Sequence, residues 1–265
     1  MIWFFLLSGL VLGWSVGAND AANVFGTAVG TGMIRFRLAA LIASVGVMLG
    51  AFFGGAGVTS TIGALGAVSA IAGSFTVALS AGLAVAWMSR SGLPMSTSQA
   101  VVGAIIGWNL FTGSPTDRTV LMQIVSAWVL SPVIAAAFAM LLYLLARWWM
   151  RRSRMHILTL DAYTRAALIL VGAIGAYALG ANSIANVMGV FVPASPFRDH
   201  GFGPLVRITG TQQLFLLGSI AIAVGIHTRS ARTMTTIGGQ IFKLTPMMAL
   251  LVVGAPTHAR RLFTD

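Results

Sequence analysis

Cysteine is absent, which excludes disulfides, thiolate metal sites and thiol catalysis. Glutamate is absent too, lysine occurs once, and five aspartates stand against 16 basic residues. Charge of either sign is scarce: 8% of the 265 residues carry it, against about 25% in an ordinary soluble domain. It is missing altogether from residues 38–89, 91–116, 119–146 and 166–197. Each of these runs is long enough for a membrane crossing of about 20 residues, and the first is long enough for two. What fills them is apolar: such residues make up 57% of the chain and mean hydropathy is +0.91. Composition therefore predicts an all-α integral membrane protein and excludes water as its main solvent.

The net charge of +11 would suggest nucleic acid in a soluble domain. Here a nucleic-acid partner is not expected. The arginines are expected in short connections (Arg35 and Arg37, Arg90, Arg147 to Arg154, Arg229 and Arg232), where positive charge holds loops in the cytoplasm against anionic lipid. The N-terminus, MIWFFLLSGLVLGWSVGA, resembles a signal peptide only superficially. No Lys or Arg precedes it and apolar sequence resumes directly after Ala18, so it is kept as the first membrane segment. Nothing indicates an enzyme or a bound cofactor. There is no nucleophile–base pair, metal-ligand cluster or Walker loop, and His156, His200, His227 and His258 are scattered.

Organisation emerges on comparing the chain with itself. Gly17 to Gly26 reads GANDAANVFG and Gly180 to Gly189 reads GANSIANVMG, seven of ten positions matching at an offset of 163 residues. A weaker echo pairs Thr61-Ile62-Gly63 with Thr236-Ile237-Gly238. The expected division is a first transmembrane repeat over 1–146, a basic connecting loop over 147–165, and a second repeat over 166–265. A polar, glycine-interrupted motif repeated inside two apolar segments points to a secondary transporter with its site between the repeats.

Asp20 is the one acid deep within apolar sequence, where an ionisable group costs a few kcal/mol and marks a coupling-ion or substrate site. Asn19, Asp20 and Asn23 beside Gly17 all disfavour a continuous helix, so a break is expected there, freeing carbonyls for a cation and N–H groups for an anion. A second candidate is GLPMSTSQAVVGAIIG from Gly92 to Gly107. Pro94 interrupts a helix, and Ser96, Thr97, Ser98 and Gln99 supply hydroxyls and an amide at the start of the next, an arrangement suited to an anion. Neither motif contains Lys or Arg, which favours cotransport with a cation over an anion channel.

These motifs resemble those of the inorganic phosphate transporter (PiT) family: Gly17 to Gly30 its first signature, Gly180 to Pro193 its second copy, and GLPMSTSQAVVGAIIG its hairpin motif. The resemblance implies Na⁺- or H⁺-coupled phosphate uptake through two inverted repeats, each pairing a broken Asn-Asp helix with a Ser/Thr-tipped re-entrant hairpin. The substrate-binding set expected is Ser96, Thr97, Ser98, Gln99, Asn19, Asn182 and Asn186, and the cation-coupling set is Asp20, Asn23 and Ser183. The implied partners are inorganic phosphate, the coupling ion and the lipid bilayer of the cell membrane, with a homodimer left open. A sulfate permease on the same architecture is the alternative, disfavoured because sulfate has no proton to offer Asp20.

Two departures stand out. Ser183 replaces a carboxylate that the second signature often carries. The second hairpin motif is missing: its expected position, 259, falls in APTHARRLFTD, after an apolar run from Leu244 to Pro256 too short to span. The expectation is a chain truncated within its second repeat, or altered by a late frameshift. A non-transporting fragment that acts only as an interaction partner is the third reading.

Overall fold

The computed structural model describes residues 2–55, 71–91, 93, 95–152, 157–202 and 206–237. They form seven α-helices: α1 (Ile2–Gly30), α2 (Phe36–Gly54), α3 (Ile71–Arg90), α4 (Thr97–Thr112), α5 (Arg118–Arg152), α6 (Ile157–Met188) and α7 (Gly210–Thr235). A 3₁₀ turn, Gly189–Ala194, follows α6, and a small antiparallel hairpin pairs β1 (His200–Phe202) with β2 (Val206–Ile208). Among the described residues six segments are long and apolar enough to cross a membrane, and the chain is a multi-pass membrane protein. The Thr61-Ile62-Gly63 echo, Gly238, Pro94 and the run from Leu244 to Pro256 lie outside the described residues.

Packing follows the repeat. α1 runs parallel to α7, with Gly13 against Ala221 and Gly26 against Met234, and α2 runs parallel to α6, with Gly46 against Ala176 and Gly54 against Ala181. α1 and α6 are antiparallel, since Gly9 meets Met188 while Phe25 meets Gly172. The same two contacts occur twice, once in each half of the bundle. A Cβ on Gly17 would stand 1.9 Å from the Ile222 carbonyl oxygen, and one on Gly180 would stand 2.2 Å from that of Val47. Likewise Gly225 approaches the Trp14 carbonyl and Gly50 that of Tyr177. Moving 163 residues carries Gly17 to Gly180 and Trp14 to Tyr177, while moving 175 carries Val47 to Ile222 and Gly50 to Gly225. The two halves are therefore inverted copies whose helices interlock, α1 with α7 and α6 with α2. Small residues at each crossing let backbones touch, which is how helices associate in lipid.

This packing corrects the expected helix break. α1 is continuous from Ile2 to Gly30 and α6 from Ile157 to Met188, straight through both Asn motifs. Gly17 and Gly180 serve close approach, and the polar side chains that would compete for local backbone groups have tertiary partners instead. The break falls between α3 and α4.

The arginines are also placed differently from expectation. Arg229 and Arg232 lie within α7, and most of 147–165 is helical, because α5 continues to Arg152 and α6 starts at Ile157. Leu, Met and Arg are good helix formers, and α5, at 35 residues, exceeds the length a bilayer requires.

Candidate substrate and ion site at the midpoint of the bundle

Three elements converge on Asp20. α1 presents it, the start of α4 faces it, and α6 closes the far side. Its carboxylate accepts from the Thr97 hydroxyl at 2.9 and 3.0 Å and from Asn19 Nδ2 at 2.6 Å. Asp20 is only 8% exposed, and it lies inside the helix, so it is no surface cap. Among the described residues the one ion pair is Arg165–Asp161, so the Asp20 charge has no cationic partner there.

Asn19 is fully used. Its Nδ2 also donates to the Met95 carbonyl at 2.6 Å, and its Oδ1 accepts from Met95 N–H at 3.1 Å and Ser89 Oγ at 3.3 Å. Two donors and two acceptor positions are all a primary amide has. Asn19 therefore clamps the α3–α4 turn and does not line the cavity beside it.

Ser96 caps α4, accepting from the Gln99 N–H at 3.4 Å. The orphan N–H groups of the first turn and the positive end of the helix dipole thus gather beside Thr97 and Ser98. A cavity of 410 Å³ opens there, lined by Ser96, Thr97 and Ser98 from α4, Asp20 and Asn23 from α1, and Asn182 and Ser183 from α6. Met95 and Leu179 complete it.

Seven of the ten residues expected at the site thus share one cavity. Asn19, Gln99 and Asn186 do not line it. Gln99 is exposed, and Asn186, 5% exposed, donates from Nδ2 to Ser98 Oγ at 3.0 Å, steadying the hydroxyl from behind. Sequence reasoning missed Ser89 and the Met95 backbone, whose roles depend on contacts across 70 and 76 residues.

Donors and acceptors meet at Thr97, whose hydroxyl gives its proton to Asp20 and leaves Ser96, Ser98 and the first-turn N–H groups as donors. The α4 end offers hydroxyls and N–H groups to an anion, while Asp20 and the amide oxygens offer hard ligands to a small cation. The family model for phosphate transporters matches residues 16–257. The chain belongs to the phosphate transporter family.

Its family relatives include a protein of Pyrococcus furiosus provisionally named a phosphate permease, 26% identical over 91% of this chain and 76% of the relative. An Arabidopsis thaliana protein named inorganic phosphate transporter 2-1, chloroplastic, is 35% identical over 52% of this chain and 25% of its own. A solved structure titled the sodium-dependent phosphate transporter superposes with a TM-score of 0.66 at 21% identity, covering 94% of this chain and 80% of that one, and shows the shared fold.

Proposed function

We propose that this family member carries inorganic phosphate across a cell membrane, driven by Na⁺. The observation that carries the reading is the Asp20 carboxylate facing the hydroxyl-rich start of α4 across one cavity with no cationic side chain lining it. A phosphate at the α4 end brings negative charge toward Asp20, and only an accompanying cation makes the pair favourable. Binding of each ion thus strengthens binding of the other, which is the thermodynamic content of symport. In this reading Ser96, Ser98, Asn182 and the Thr97 backbone N–H contact phosphate, while the Thr97 hydroxyl stays on Asp20. Asp20, Asn23 and Ser183 serve the cation, while Asn19 and Asn186 position the α4 start.

The symmetric glycine crossings support two inverted repeats, 1–146 and 166–265, and because each crossing joins one repeat to the other, α1, α2, α6 and α7 would move as one interlocked body. The end of the bundle that holds Arg35, Arg37, Arg90, Arg152, Arg165, Arg229 and Arg232 is placed in the cytoplasm. A cysteine at Thr31 should then resist impermeant thiol reagents in intact cells, while one at Thr119, at the opposite end, should react.

The deciding experiment is uptake of labelled phosphate by proteoliposomes under separate Na⁺ and H⁺ gradients, with sulfate as competitor. Uptake that follows the Na⁺ gradient and ignores sulfate is expected. Uptake driven by H⁺ alone would reassign the coupling ion, and inhibition by equimolar sulfate would reassign the substrate.

A further inference from the structure

A second cavity, of 520 Å³, lies between α1, α3 and α7, and Arg90, Arg229 and Arg232 line it together with Trp14, Ala86 and Trp87. Its depth follows from helix register. Gly9 meets Met188 and Phe25 meets Gly172, so antiparallel α1 and α6 stand level at Gly17 and Gly180, the two glycines that the inverted repeat exchanges. That level is the midplane of the bundle. α3 runs beside α1 with Phe75 on Phe5, Gly82 on Leu12 and Ser89 on Asn19, which puts Arg90 level with Asp20. α7 runs beside α1 with Gly13 against Ala221 and Gly26 against Met234, which puts Arg229 level with Ala21 and Arg232 with Val24. At a rise of about 1.5 Å per residue, Arg90, Arg229 and Arg232 thus stand about 5, 6 and 11 Å from the midplane. The hydrocarbon extends about 15 Å to each side of it.

All three arginines therefore lie at bilayer depth, where charge is costly and persists facing a partner or a water-filled cavity. The described acids supply no partner. Asp20 accepts from Thr97 and Asn19, Asp161 pairs with Arg165, Asp117 caps the start of α5, and Asp199 accepts from the Gly210 N–H. The fifth and last acid of the chain, Asp265, lies outside the described residues. The cavity also adjoins the Asp20 site. Ala18 and Ser89 line the one, Asp20 and Met95 line the other, and Asn19 stands in the wall between, its Oδ1 accepting from Ser89 Oγ and Met95 N–H.

We propose that the arginine cavity is a second anion site, an antechamber in which inorganic phosphate rests between the Asp20 cavity and the cytoplasm. Guanidinium groups present paired N–H donors that match a tetrahedral oxyanion, and they stay charged at any physiological pH. No cationic side chain lines the Asp20 cavity, so an anion there depends on its cation. The antechamber holds an anion without one, which lets the two ions part on release. That the anion is phosphate rests on the transport function proposed for this chain; that an anion binds rests on the arginines alone.

The chain lacks cysteine, so a single introduced thiol reports on the cavity. Ala86→Cys, in the purified 265-residue chain in detergent without Na⁺, is timed in its reaction with sulfonate-bearing and trimethylammonium-bearing methanethiosulfonates. Relative to their rates with a small thiol in solution, the anionic reagent should be favoured by at least about tenfold, the lower end of what a focused field of one sign achieves. Millimolar phosphate should slow it severalfold. Both effects should survive Asp20→Asn and disappear in R90Q/R229Q/R232Q. If the triple variant is not monodisperse, R229Q and R232Q singly should each lower the preference severalfold. Leu83→Cys, at a 56% exposed lining position, repeats the measurement. No reaction at either position, no anion preference, or a preference untouched by the arginine variants would overturn the proposal. Protection by phosphate in a chain that fails to take up phosphate in proteoliposomes would support the site and count against the transport function alone.

Discussion

The two copies of the Gly-Ala-Asn motif occupy equivalent places in the bundle and do different work. In the first, Asn19 is buried and clamps Met95, Asp20 bonds Thr97, and Asn23 lines the cavity. In the second, the order is reversed: Asn182 lines the cavity and Asn186 is buried against Ser98. Ser183, 2% exposed, takes the place of the charge. Both copies thus hold the same α4 start, one from each side. The glycines that set the helix crossings are duplicated faithfully, while the polar positions have diverged. Symmetry builds the frame, and a departure from symmetry gives the site its single carboxylate.

The sharpest way to break this comparison is to exchange the chemistry at the equivalent positions. Asp20→Asn should abolish Na⁺-driven phosphate uptake in proteoliposomes while leaving expression and monodispersity intact. Ser183→Ala should shift apparent affinity by no more than about 1 kcal/mol, the net value of one neutral hydrogen bond. Comparable losses in the two variants would show that the carboxylate has no special role.

Next in size are the crossings. Gly17→Ala and Gly180→Ala should destabilise the protein similarly, each by about 1–3 kcal/mol or more, because a Cβ has no room and its neighbour is backbone. Gly103→Ala, with nothing within 4 Å of the added carbon, should be neutral or slightly stabilising. Thermal unfolding in detergent, followed by tryptophan fluorescence, orders the three. A tolerated Gly17→Ala beside a damaging Gly180→Ala would break the equivalence of the halves.

Asn19→Ala and Asn182→Ala should separate positioning from binding. The first leaves the Met95 N–H and carbonyl without their partner, at a cost of about 1–3 kcal/mol, and should speed amide hydrogen exchange at the start of α4. The second should raise the KM for phosphate without changing exchange there. Faster exchange in both would return Asn182 to a structural role.

The smallest effect expected is at the far side of α4. Ser98→Ala and Asn186→Ala should each weaken phosphate affinity modestly, and the double variant should lose less than their sum, with a coupling of about 0.5–1.5 kcal/mol. Strict additivity in a double-mutant cycle would mean that the Asn186–Ser98 bond does not transmit to the site.

Much of this protein was legible without coordinates because the bilayer imposes strong constraints on sequence. Long charge-free runs have few folded interpretations, and a polar motif repeated at a fixed offset inside them requires two related halves. Asp20 and the Ser96-Thr97-Ser98 cluster stood out for the same reason: polar groups are costly at such depth and persist where they act. The helix state of the Asn motifs was not legible. Local preferences of Asn, Asp and Gly argue for a break, and only the neighbours remove it, Met95 and Thr97 by engaging the side chains and Ile222 and Val47 by filling the space beside the glycines. Tertiary structure likewise decided which asparagine of each pair faces the cavity and which clamps the chain. That choice depends on which face of α1 or α6 meets α4, and contacts of this kind, made across 70 to 88 residues, leave no local pattern in the sequence.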